Sequence, residues 1–161
     1  MEKFYIFLAL SLMFVLQASC RDCTTHSCLR RLYNSRVTWA EYWTRPLGSG
    51  WWSSRRKRSF DYHLHHAGVV VTVENGDRWL IHKGSNYGDS SDTVITDAAY
   101  MSSRWRLWSR NYSRSVRHCR YTVNMFMQHA LVSTPYNLIG ANCQTAANGM
   151  WALVESCQHR N

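Results

Sequence analysis

The chain has 161 residues, of which 45% are hydrophobic and 18% charged, with a formal net charge of +9. That length fits one domain with a core of its own, and the apolar share excludes a disordered polyelectrolyte. The charge is uneven: residues 21–58 hold nine Lys/Arg against Asp22 and Glu41, whereas residues 59–161 hold nine against seven acids. Contact with anionic surfaces is therefore expected of residues 21–58, and no specific nucleic-acid binding is expected of the rest.

Residues 1–20 are built like a secretory signal: Lys3, an apolar run from Phe4 to Leu16, then Ala18, Ser19 and Cys20. The run is shorter than the roughly 20 residues of a bilayer span, so cleavage after Ala18 or Cys20 is expected rather than anchoring. No other stretch is apolar enough to span a membrane, and the product is expected to be secreted, where disulfides form. The cysteines are 20, 23, 28, 119, 143 and 157. Loss of Cys20 leaves an odd number, which flags a free thiol. With Cys143 set aside, Cys23, Cys28, Cys119 and Cys157 supply two bridges; if Cys20 stays, three bridges are the alternative. A Cys119–Cys157 link would close a loop of about 38 residues and add roughly 3–4 kcal/mol.

Residues 21–58 are rich in Cys, Trp and Arg and end in Arg55-Arg56-Lys57-Arg58, followed by Ser59. The run resembles the recognition site of furin-like proprotein convertases. Cleavage there would make 21–58 a propeptide and 59–161 the mature domain; the alternative is a solvated basic loop. A further alternative makes 21–58 itself the product, a Trp/Arg-rich peptide for membrane interfaces.

Ala67-Gly68-Val69-Val70-Val71-Thr72-Val73 is β-branched and reads as a buried strand. Glu74-Asn75-Gly76-Asp77 is a hairpin turn and Arg78-Trp79-Leu80-Ile81-His82 the return strand. Antiparallel pairing brings His66 and His82 side by side. A loop over 84–92 and a short strand over 93–96 follow. Trp105, Trp108, Tyr112, Val116 and Cys119 share a helical face, but Ser109–Ser115 holds poor helix formers. Asn111-Tyr112-Ser113 is a glycosylation sequon, which belongs on an exposed loop. The expectation is a short helix in 97–108, a loop carrying Asn111, and a strand near 116–123. Arg106, Arg110, Arg114 and Arg117 read as a solvated cationic face, with polyanion binding the alternative. A helix is expected over 124–132, ended by Ser133-Thr134-Pro135.

After the turn-forming run Pro135-Tyr136-Asn137-Leu138-Ile139-Gly140, Cys143 opens a helix on which Ala146, Ala147, Met150, Trp151 and Val154 recur at helical spacing. A thiol there meets outward N–H groups and the positive end of the dipole. The dipole supplies only about 0.3–1 kcal/mol, so a reactive thiolate also needs an imidazole. His66 and His82 are the candidates, one as base and one to hold it in a single tautomer.

His66-Ala67-Gly68-Val69-Val70-Val71, Asn75-Gly76 and Leu80-Ile81-His82 resemble the histidine hairpin of the NlpC-type papain-like superfamily. Tyr136-Asn137-Leu138-Ile139 leading to Asn142-Cys143 resembles the cysteine segment of its circularly permuted branch, the lecithin:retinol acyltransferase-like proteins. The resemblance covers about residues 62–151; the branch's usual Asn-Cys-Glu-His-Phe reads Asn142-Cys143-Gln144-Thr145-Ala146 here. It implies an α+β fold in which a small antiparallel sheet packs against helices. It also implies Cys143 as nucleophile, His66 as base and His82 as the third polar residue, with the Cys143 backbone N–H as an oxyanion donor.

His63 and His65, on one strand face, form a rival zinc pair, but no further Cys or carboxylate stands at metal spacing. No cofactor and no metal are expected. The reading is a secreted thiol hydrolase or acyltransferase acting on an amide or ester of a peptide, peptidoglycan or lipid. The alternative is an inactive cationic binding or defence protein on the same scaffold.

Overall fold

The computed structural model describes residues 23–47, 65–85 and 92–159. Residues 1–20, expected to be a signal, the basic run at 55–58 and His63 lie outside the described residues. The first helix among the described residues, α1 (His26–Asn34), is capped by Thr25, whose Oγ1 accepts from the Cys28 N–H, and a Cys23–Cys28 disulfide closes its first turn. Strand β1 (Val37–Pro46) follows. Next come β2 (His65–Val73), β3 (Arg78–Lys83), β4 (Thr93–Asp97), β5 (Arg106–Leu107) and β6 (Ser113–Ser115). Two helices complete the order, α2 (Val123–His129) and α3 (Cys143–Gln158).

The six strands form one antiparallel sheet in the order β4-β3-β2-β1-β5, with β6 also on β1. The expected hairpin is β2–β3, registered Val70 to Leu80 and Gly68 to His82. Its turn uses Gly76 at φ +92°, a conformation that glycine adopts without steric cost. The Asn75 side-chain oxygen accepts from the Asp77 N–H. Successive side chains point to opposite faces. Ala67, Val69 and Val71 therefore join Trp79 and Ile81 against α3, in a core completed by Phe126 and Met127 of α2 and by Met150 and Val154. Val70, Leu80 and Trp105 form a smaller cluster on the other face. Where α2 and α3 meet, a Cβ on Gly149 would lie 2.5 Å from the His129 carbonyl oxygen, so only glycine permits that approach.

Two expectations need correction. The sequence sets residues 21–58 apart as a leader preceding the domain, yet β1 lies inside the sheet and pairs with β2 from Val37–Val73 to Pro46–His65. The folded unit thus includes residues 23–47 of this stretch. The Cys23–Cys28 bridge closes within it, so a cut after Arg58 would leave β1 held by non-covalent contacts alone. Nor is there a strand over 116–123. Three-residue 3-10 turns at Ala98–Tyr100, Arg110–Tyr112 and Arg117–Cys119 alternate with the short β5 and β6, and α2 already begins at Val123. The poor helix formers here bend the chain along the edge of β1 instead of forming a continuous element.

Cys119 and Cys157 are bridged, and with Cys23–Cys28 they account for four of the cysteines. Two disulfides fit an oxidising compartment. No described helix is long and apolar enough to cross a membrane. The Cys119–Cys157 bridge ties the last turn of α3 to the segment after β6 across 38 residues. Replacing both cysteines by alanine is expected to cost about 3–4 kcal/mol in urea denaturation. A loss under about 1 kcal/mol would mean that packing alone positions the end of α3.

Candidate functional site

Cys143 is the first residue of α3, whose cap is Asn142. The Asn142 side-chain oxygen accepts from the Gln144 and Thr145 N–H groups, each at 2.9 Å. This fixes the first turn, and the Cys143 thiol is unbridged and buried. Its sulfur lies 3.9 Å from the His65 carbonyl oxygen, which also accepts from the Gln144 side-chain amide at 3.2 Å. The helix start is thereby tied to the first residue of β2. Nearby on this side Tyr42 donates to Asn148 Oδ1 at 2.9 Å. Burial, then the neighbouring Cys143 and Tyr112, push the Tyr42 phenol up to about 12, so it stays protonated.

His66 and His82 are in contact, with Nε2 of the first 2.8 Å from Nδ1 of the second and the rings edge-on. One ring donates and the other accepts, which fixes their relative tautomers. Trp105 packs against both, at centroid distances of 5.5 and 5.8 Å. Arg45, opposite His66 in the β1–β2 register, lies over the Trp105 ring. Burial first, then the Arg45 guanidinium and His65, lower His66 to about 4. Burial, then His66 and Arg45, lower His82 to about 3. Both imidazoles are therefore neutral at neutral pH.

The structure thus joins His66 to His82 and brings the Cys143 sulfur to the peptide just before His66, but Cys143 makes no hydrogen bond to either ring. Strand alternation explains the gap. His66 and His82 share the face of Val70, Leu80 and Trp105, whereas α3 crosses the face of Ala67, Val69 and Val71. His65 alternates onto the α3 side, where it stacks on Trp108 at 5.2 Å. In place of a cationic ring beside the sulfur the structure holds a neutral histidine pair, because burial and then Arg45 oppose the charged form.

The N–H of Cys143, the expected oxyanion donor, meets no acceptor among the described residues. Asn111 of the sequon is exposed, in the 3-10 turn before β6. Among the described residues, one cluster of three metal-ligand types occurs, His118 with Cys119 and Cys157, and its sulfurs are joined in the disulfide.

Sequence reasoning missed Trp105, Arg45, Gln144 and Lys83. Lys83 ends β3 and is fully buried. Its Nζ donates to Thr93 Oγ1 at 2.9 Å and to the carbonyls of Leu131 and Thr134 at 3.1 and 2.5 Å. The signal for Lys83 was its place at an inward position of the period-2 strand, beyond Trp79 and Ile81. Comparison with protein-family models, curated proteins and solved structures finds no match.

Proposed function

We propose that this protein is a thiol-dependent acyl-transfer enzyme on a permuted papain-like scaffold, secreted, with Cys143 as nucleophile, His66 as base and His82 as its orienting partner. The carrying observation is the His66 Nε2 to His82 Nδ1 contact of 2.8 Å on the strand whose first carbonyl the Cys143 sulfur approaches. With Nε2 turned to His82, proton exchange with the sulfur runs through Nδ1. A neutral imidazole suits a general base that takes the thiol proton as substrate enters, rather than a standing thiolate–imidazolium pair. Catalytic hydrogen bonds often tighten only in the substrate complex, and this reading requires the sulfur and the His66 ring to meet around the first residue of β2.

In the first step the sulfur attacks the carbonyl carbon of an amide or ester, and the imidazole carries the thiol proton to the departing amine or alcohol. The Cys143 N–H supports the developing oxyanion. Water or another acceptor then attacks the thioester and regenerates the thiol. The binding-only reading draws on the missing Cys143–histidine hydrogen bond, and the same experiment separates the two.

The test is labelling of the secreted, unreduced protein by a thiol-directed acyl probe at pH 7, with the modified residue read by mass spectrometry. Labelling at Cys143 faster than free cysteine, slowed about 10²-fold or more by His66→Ala, is expected. Labelling slowed by His65→Ala but not by His66→Ala would move the base to the α3 side of the sheet. Labelling no faster than that of free cysteine would leave the scaffold as a binding protein.

A further inference from the structure

Residues 98–154 contain six arginines, at 104, 106, 110, 114, 117 and 120, and no Asp, Glu or Lys. The topology lays this stretch along one edge of the sheet. Arg106 pairs with Thr44 of β1 and Arg114 with Ala40. The Arg104 side chain reaches the Pro46 carbonyl at one end of β1. At the other, the Arg36 side chain donates to the carbonyl of Arg117. The six side chains are thus strung beside a ten-residue strand, a run of roughly 30 Å. Arg104, Arg106, Arg110, Arg117 and Arg120 are exposed and Arg114 half-buried.

The acids nearest this edge are already engaged: Glu41 pairs with Arg78, and Glu74 lies 3.8 Å from Arg36. No described carboxylate pairs with Arg106, Arg110, Arg114, Arg117 or Arg120. A line of like charges without counter-charges is unfavourable for folding alone, and it suits an extended polymer carrying anionic groups at intervals. Two aromatic side chains of the edge, Trp39 and Trp108, are each 40% exposed, too few to make a continuous row of stacking platforms for bases. The Trp39 indole donates to Ser113 Oγ, Trp108 stacks on His65, and Tyr112 packs among Tyr42 and Trp151. Single-stranded nucleic acid is held largely by such platforms, so the edge favours a ligand bound through its charges.

We propose that the β5–β6 edge is a binding site for a linear sulfated polysaccharide. Arg106, Arg110, Arg114 and Arg117 contact successive sulfate groups, with Arg104 and Arg120 at the ends. The site is separate from Cys143 and stands whether or not the thiol is catalytic. Two disulfides agree with an oxidising, extracellular-type setting, where such polymers occur.

The experiment uses the secreted chain carrying Asn111→Gln, so that a glycan on this exposed edge does not mask it. Binding to immobilised heparin is measured by salt elution and by titration at several salt concentrations. Replacing Arg106, Arg110, Arg114 and Arg117 by glutamine is expected to weaken binding at least tenfold. It should also flatten the dependence of log K on log salt by roughly 2–3, by analogy with counterion release from single-stranded nucleic acids. The comparison is Arg30→Gln with Arg31→Gln, on α1 within the stretch also expected to meet anionic surfaces, which should weaken binding clearly less than the β5–β6 variants. The double variant Arg110→Gln with Arg117→Gln, whose side chains make no internal contacts, repeats the measurement if the fourfold variant unfolds early. Equal loss from the α1 variant would reduce the effect to net charge and overturn the site. So would unchanged elution of the double and fourfold variants. Tighter binding of single-stranded RNA of matched charge, lost in the same variants, would overturn the polysaccharide in favour of a nucleic acid.

Discussion

Replacing Lys83 by methionine is expected to destabilise the protein by about 2–4 kcal/mol, because buried neutral acceptors that lose their donor cost about 1–3 kcal/mol each. The aliphatic stem is retained, so the loss isolates the ammonium. Without it, the carbonyls of Leu131 and Thr134 and the Thr93 hydroxyl lose a charged donor in a site closed to water. Burial lowers the Lys83 ammonium from its usual range, and the neighbouring Asp92 opposes that shift. Leu131 is also a non-glycine residue at φ +59°, a conformation that surrounding contacts must hold in place. The same carbonyls begin the segment that leads through Tyr136, whose N–H donates to Asp92, to the Asn142 cap. A drop in urea midpoint together with slower labelling of Cys143 is the expected pair of results. A loss below about 1 kcal/mol would mean that the Leu131–Thr134 turn does not depend on the ammonium.

Mild acid is expected to weaken the fold well before most carboxylates are protonated. An unfolded histidine takes up a proton near pH 6.5, whereas folded His66 and His82 do so only near 4 and 3. Between these values the unfolded chain binds more protons, so stability is fully present above about pH 6.5 and falls as pH drops toward 4. For two coupled rings the loss by pH 4 is on the order of 3–6 kcal/mol. Urea midpoints from pH 7.5 to 4.5 measure it. His82→Asn keeps a polar partner for His66 but removes one titrating group, and it should flatten the profile by about half. A wild-type profile without a slope between pH 6.5 and 4.5 would show that the pair accepts protons in place, with Arg45 moving away.

The second result bears on catalysis as well as stability. A pair that stays unprotonated down to about pH 4 is open to a proton over the whole physiological range, at a loss of basicity, because a base is most effective with a pKa near the working pH. Thiol labelling that depends on His66 should therefore persist at pH 5.5, where an ordinary histidine would be mostly protonated.

Several parts of this structure were legible as local pattern. The β2–β3 hairpin follows from a β-branched run, an Asn75-Gly76 turn and a return strand. The α3 face follows from a 3.6-residue period that starts at Cys143. The pairing of His66 with His82 follows from antiparallel register, because both stand on the same alternation near matched strand ends. The α+β class comes from the resemblance, whereas which cysteine pairs with Cys119 is open in the sequence and decided by the fold.

Long-range choices were not legible. The Trp- and Arg-rich stretch around β1 looked like a leader because its composition is that of an exposed segment. Yet Ala40 and Tyr42 face the α3 core while Trp43 and Arg45 cover the histidines from the other side. Lys83 is charged in sequence and buried in space because three oxygens from two distant segments converge on it. Which face of the sheet receives α3, and hence whether the sulfur meets His65 or His66, depends on strand order and helix crossing. Periodicity encodes which residues lie on the same side of an element; it carries no information about which other element will cover that side, because that depends on contacts between residues far apart in the chain.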